Sequence, residues 1–140
     1  MIRTLIASVG LALLPLSALA ERTEAPEDAR VFFIGLESGQ TVSNPVTLYF
    51  GLEGMGVAPA GAEFSDTGHH HLFINLDPAT TDLDEPIPAT DQIRHFGGGQ
   101  TQVTLDLPAG THTLWLLLGD YAHMPHDPPV MSEPLVITVE

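Results

Sequence analysis

Gly68-His69-His70-His71-Leu72-Phe73-Ile74-Asn75-Leu76 is the stretch from which the rest of the chain can be read. Three consecutive histidines run straight into an apolar segment of strand length. Successive side chains of a strand point to opposite faces, so His69 and His71 share one face and His70 takes the other. Leu72, Ile74 and Leu76 fall in register with His70. Two imidazoles at i and i+2 on one side of a strand suit chelation, and imidazole is the side chain most used for zinc and copper. A histidine run also has a plainer reading, as surface residues or as partners of buried backbone groups.

Further strands follow the same logic on either side. Arg30 to Leu36 is the first, and Val46-Thr47-Leu48-Tyr49-Phe50-Gly51-Leu52 alternates with period two. Ile93 to Phe96 is a short extended piece ended by Gly97-Gly98-Gly99, which reads as a flexible turn. Thr101 to Leu107 alternates cleanly, Thr111 to Leu118 is the most apolar strand, and Leu135 to Glu140 closes the chain. About seven short strands separated by turn signals, with no amphipathic helix of useful length, predict an all-β, antiparallel immunoglobulin-like β-sandwich. The expected sandwich spans residues 30–140.

The first twenty residues have the form of a secretory signal peptide. Arg3 precedes an apolar run from Leu5 to Leu19, and Ala18-Leu19-Ala20 is a small-x-small cleavage site. Cleavage after Ala20 leaves residues 21–29 as a polar, mobile N-terminus ahead of the sandwich. No later run is long enough to cross a bilayer, so the expected product is soluble and periplasmic or secreted. The chain has no cysteine, which rules out disulfides, thiolate metal sites and cysteine catalysis.

All 18 carboxylates lie beyond Ala20, against Arg22, Arg30 and Arg94 and no lysine, so the mature charge is −15 with histidines neutral. Such a field repels nucleic acid and anionic membranes and attracts cations, besides keeping a protein in solution.

Topology then predicts a meeting. In an immunoglobulin-like sandwich the loop before the third strand and the loop before the last strand lie at one end. Those loops are Glu53–Gly68 and Gly119–Pro134, and the histidine strand starts at that end. His69, His70 and His71 are therefore expected to meet Asp120, His123 and His126. Met55, Met124 and Met131 come from the same loops. Imidazoles, a carboxylate and nearby thioethers suit copper, with zinc close behind. His69, His71, His123 and His126 are the expected ligands, with His70 and Asp120 as supporting or alternative ones. The partner implied is a metal ion, with a periplasmic protein as a further one. His95 is ambiguous. His112 belongs at the opposite end, as a buried imidazole needing a hydrogen-bond partner, and Trp115 is expected to pack against another element.

Nothing in the chain points to an enzyme. There is no nucleophile elbow, Asp82, Asp84 and Glu85 lack the EF-hand spacing, and a zinc hydrolase needs an open coordination position beside a general base. The alternative to a metal carrier or buffer is a structural or interaction module whose histidines form a hydrogen-bonded network.

Thr67-Gly68-His69-His70-His71-Leu72, His95-Phe96-Gly97-Gly98-Gly99-Gln100-Thr101, Leu107-Pro108-Ala109-Gly110-Thr111-His112-Thr113-Leu114, and Gly119-Asp120 with His123 and Pro125-His126-Asp127-Pro128-Pro129-Val130 together resemble a family of small exported bacterial proteins known as a domain of unknown function. The resemblance spans most of Gly54 to Glu140. It implies a single small exported domain and brings no activity with it.

Overall fold

The computed structural model describes residues 22–140, so the expected signal peptide lies outside the described residues. The described chain is all-β apart from one short 3-10 turn, Pro78–Thr80. Nine strands follow in order: β1 (Arg30–Ile34), β2 (Thr41–Val42), β3 (Val46–Glu53), β4 (Gly56–Val57), β5 (Thr67–Ile74), β6 (Ile93–His95), β7 (Gln102–Leu105), β8 (Gly110–Gly119) and β9 (Leu135–Val139). The seven longer ones are those the alternation marks. The two-residue strands β2 and β4 pair parallel, to β9 and β5, and are too short to leave a periodic signal.

One sheet has the order β1-β3-β7; the other runs β2-β9-β8-β5-β4, with β6 also paired to β5. An antiparallel three-stranded sheet faces a larger one whose first strand runs parallel to the last strand of the chain. That is the immunoglobulin-like layout.

Period-two alternation sorts the large sheet's side chains into two layers. Leu72, Ile74, Leu114, Leu116, Leu118 and Ile137 point inward and meet Val31, Val46, Leu48 and Phe50 from the small sheet. The opposite face carries His69, His71 and Phe73 on β5, set by register against Gly119, Leu117 and Trp115 on β8. That outer face is also apolar and buried: Phe73, Ile87, Ile93, Trp115 and Leu117 form a second cluster, with Leu76 and Leu83 against it. Trp115 is fully buried. It stacks on Phe73 at 3.8 Å between ring centroids and donates its indole N–H to the Leu76 carbonyl. The segment between β5 and β6 covers it, as a buried tryptophan with a polar end requires.

Ahead of β1, the chain hydrogen-bonds to the Gly119–Pro134 loop. Asp127 N–H donates to the Thr23 carbonyl, Ala25 N–H donates to the Asp127 carbonyl, and Arg22 donates to the carbonyls of Pro125 and His126. These bonds give partners to backbone groups of that loop. Among the described residues no helix is long and apolar enough to cross a membrane.

Candidate metal centre

The expected meeting of loops at one rim is present. Ala58 N–H donates to the Gly68 carbonyl, Gly61 N–H to the Tyr121 carbonyl, and Gly119 bridges Pro125. At this rim four imidazoles gather on the outer face of the large sheet. β5 supplies His69 and His71; β6 places His95 directly opposite His71 in the ladder; and the loop after β8 supplies His123.

Each ring is held by local chemistry. His123 sits in a tight turn built by Asp120, whose carboxylate accepts from Ala122 N–H at 2.8 Å and Met124 N–H at 2.9 Å. The Asp120 carbonyl accepts from His123 N–H, and Ile87 N–H donates to the His123 carbonyl, both at 2.9 Å. His123 has φ +69°, a left-handed conformation that costs a non-glycine residue roughly 1 kcal/mol or more and persists only where neighbours hold it. His95 folds over Gly97, where a Cβ would lie 2.3 Å from its Cε1. His71 lies over Gly119, where a Cβ would be 2.8 Å from its Cε1 and 3.2 Å from Ile87 Cδ1. These two glycines leave the space the rings fill.

His69, His95 and His123 offer one nitrogen each such that all three lie within 4.8 Å of one another, and no other set of three or more potential ligands does so among the described residues. Three points so spaced share a centre within about 2.8 Å of each, close to the 2.0–2.1 Å of a zinc–imidazole bond after a small adjustment. His95 Nε2 and His123 Nε2 are 3.1 Å apart, near the ~3.3 Å separating two nitrogens bound to one tetrahedral metal. His69 is buried, His123 half-buried and His95 exposed, so the group opens to solvent on one side.

Burial leaves both nitrogens of His69 and of His71 with no hydrogen-bond partner among the described residues. An unmet buried donor or acceptor costs about 1–3 kcal/mol, so these nitrogens invite a ligand. Burial also favours the neutral form. It pushes His69 down to about 4, helped by His123 and His95 and opposed by Asp120. It pushes His71 down to about 3, helped by His69, His95 and His123 and slightly offset by the Leu117 backbone, which lies near the ring outside hydrogen-bond geometry. His95 is lowered by burial and by His123. Neutral imidazoles are the form that binds metal.

Not every expected ligand joins this group. His126 is fully buried but stands apart, with Nδ1 3.4 Å from the Leu118 carbonyl and Nε2 3.2 Å from the Thr67 carbonyl. It fastens the start of β5 to the end of β8. Asp120 is occupied by the turn it caps and by Thr23 Oγ1 at 2.6 Å. His70 points into the core between the sheets, its ring 5.2 Å from that of Phe50. Burial pushes it down to about 4, slightly offset by the backbone of Gln100, but neither nitrogen meets hydrogen-bond geometry with the described residues. His112 is a satisfied core residue: Asn75 Nδ2 is 3.0 Å from its Nδ1 and the Pro108 carbonyl 2.7 Å from its Nε2.

The methionines serve packing: Met55 lies against the inner core, Met131 against the outer cluster, and Met124 is buried. His95 is the residue that sequence reasoning left open. The signal that finds it is pairing register, since it belongs to the strand hydrogen-bonded to the histidine strand.

No curated protein and no solved structure matches this chain. A family model matches residues 48–140, which span β3 to β9 and all four rim histidines. The chain belongs to the family described as Domain of unknown function (DUF4399).

Proposed function

We propose that this protein is an exported metal-binding carrier or buffer, with copper as its metal and zinc as the competing one. The observation that carries the reading is the convergence of His69, His95 and His123 nitrogens within 4.8 Å. The unpartnered nitrogens of His69, the depressed proton affinity of its ring and the solvent-facing side at His95 support it. An exposed ligand beside a buried one suits uptake and release better than a sealed structural site. The signal-like sequence of residues 1–20 and the absence of cysteine favour a compartment where imidazole replaces thiolate as the metal donor. The −15 surface of residues 21–140 raises the local concentration of cations. The choice of copper rests on compartment and on imidazole chemistry, which zinc shares.

Calorimetric titration of the mature, tag-free protein with Cu(I), Cu(II) and Zn(II), followed by metal analysis, tests the proposal. One equivalent bound, and lost in His95→Ala, is expected. A protein that stays empty in all three ends it.

The second reading, a hydrogen-bonded histidine network without metal, has one observation in its favour: the 3.1 Å contact of His95 and His123. It predicts that His69→Ala lowers the melting temperature equally with and without metal.

A further inference from the structure

The three-nitrogen set leaves His71 unexplained. It is fully buried, both its nitrogens lack partners among the described residues, and its ring lies against the other three. The ring centroids supply what the nitrogen positions alone do not show. His69–His71 is 4.7 Å, His69–His95 5.0 Å, His69–His123 4.9 Å, His71–His95 5.1 Å, His95–His123 4.7 Å and His71–His123 6.0 Å. Four points with five separations of 4.7–5.1 Å and a sixth of 6.0 Å form a tetrahedron elongated along the His71–His123 edge. A metal held 2.0–2.1 Å from an imidazole nitrogen lies about 3.2 Å from that ring's centroid, so four such rings in tetrahedral array have centroids about 5.2 Å apart. Five of the six observed separations fall within about 0.5 Å of that value.

Resting on the metal-binding reading above, we propose that the site is a four-imidazole tetrahedron whose His95 edge faces solvent, with His71 as its fourth ligand from the protein side and His69, His95 and His123 completing it. The nitrogens of His71 lie outside the three-residue set. Its ring joins by turning in place about χ2, a torsion with broad wells. Gly119 provides the room, being the one β8 position opposite the histidines without a side chain.

The chemistry follows from the donor count. Four nitrogens leave no open position for a substrate or water, which separates this centre from a hydrolytic one. Tetrahedral nitrogen coordination suits Zn(II) and Cu(I), whereas Cu(II) favours tetragonal geometry. The class of ligand is therefore a d¹⁰ cation.

X-ray absorption of the zinc-loaded and Cu(I)-loaded mature protein tests this without any substitution. The outer-shell scattering of four imidazole rings per metal is expected. Co(II) loading should give the intense visible absorption of a tetrahedral site. In His71→Phe the ring count drops to three, the Co(II) band weakens, and zinc affinity falls by at least ~10-fold. Three rings in the unaltered protein, or unchanged affinity in a folded His71→Phe variant, overturns the fourth ligand and leaves the three-imidazole reading intact. Failure to bind zinc, copper or cobalt overturns both.

Discussion

His95 Nε2 and His123 Nε2 meet at 3.1 Å across the mouth of the histidine group, although 28 residues separate them in the chain. One ring must donate and the other accept, so at most one of these two nitrogens carries a proton. Both must be bare to bind a cation together. Loading the site therefore moves one proton to the far nitrogen of its ring. In ¹⁵N spectra of histidine-labelled protein, one tautomer of the His95–His123 pair is expected to switch when zinc is added, with no change in the His112 signals.

Replacement of His95 separates ligand from scaffold. His95→Ala should reduce metal affinity by more than about 100-fold, since loss of even a supporting partner costs 10–100-fold. Its exposure predicts a stability change within about 0.5 kcal/mol. His126→Ala should do the reverse, destabilising by about 1–3 kcal/mol through loss of the ring's one N–H bond to a carbonyl and of its buried packing, with affinity almost unchanged. Equal losses of affinity in the two variants would contradict the separate roles of these histidines.

Asp120 acts through the turn it builds. Its Oδ1 accepts from two backbone N–H groups, and an amide oxygen can do the same. Asp120→Asn should therefore keep metal binding within a few-fold, while Asp120→Ala frees the turn, releases His123 from its left-handed conformation and weakens binding by about 10-fold. A large loss in Asp120→Asn would mean that the carboxylate itself is a ligand.

Acid should unfold the metal-free protein through its buried histidines. In the unfolded chain their pKa is near 6.5; folded, His69 and His70 are pushed down to about 4 and His71 to about 3. Between those values the unfolded state binds more protons, so stability is full above about pH 6.5 and falls as pH drops toward 4. The three act together rather than independently, since His69 and its neighbours help to depress His71, and their combined effect is on the order of several kcal/mol, within reach of a small domain's whole stability. Urea melts at pH 7.5, 6 and 5 measure it. A midpoint unchanged across that series would show that the rings are not buried as neutral groups.

Metal should oppose this loss. A ligand that binds only the folded state at 100 times its dissociation constant adds about 2.7 kcal/mol. Zinc should therefore raise the melting temperature at pH 7.5, a chelator should reverse the rise, and Gly97→Ala should blunt it by displacing the His95 ring. A melting curve indifferent to both zinc and chelator speaks for the hydrogen-bonded network instead.

The sandwich was legible because alternation of apolar and polar residues is a local property. Val46 to Leu52 and Thr101 to Leu107 each declare a strand with one face inward, Thr111 to Leu118 declares a central one by its apolar run, and period two alone puts His69 and His71 together with His70 on the far side. The meeting of the β5 start with the loop after β8 followed from topology. The membership of the site did not. His126 lies only three residues beyond His123, yet one caps two strands and the other faces three imidazoles, because a loop has no periodicity from which side-chain direction can be read. His95 joins through the register of β6 on β5, and register is fixed by which faces bury apolar surface across the whole sheet. The strand pattern thus settled what folds, and the distance between segments far apart in the chain settled which histidines share a centre.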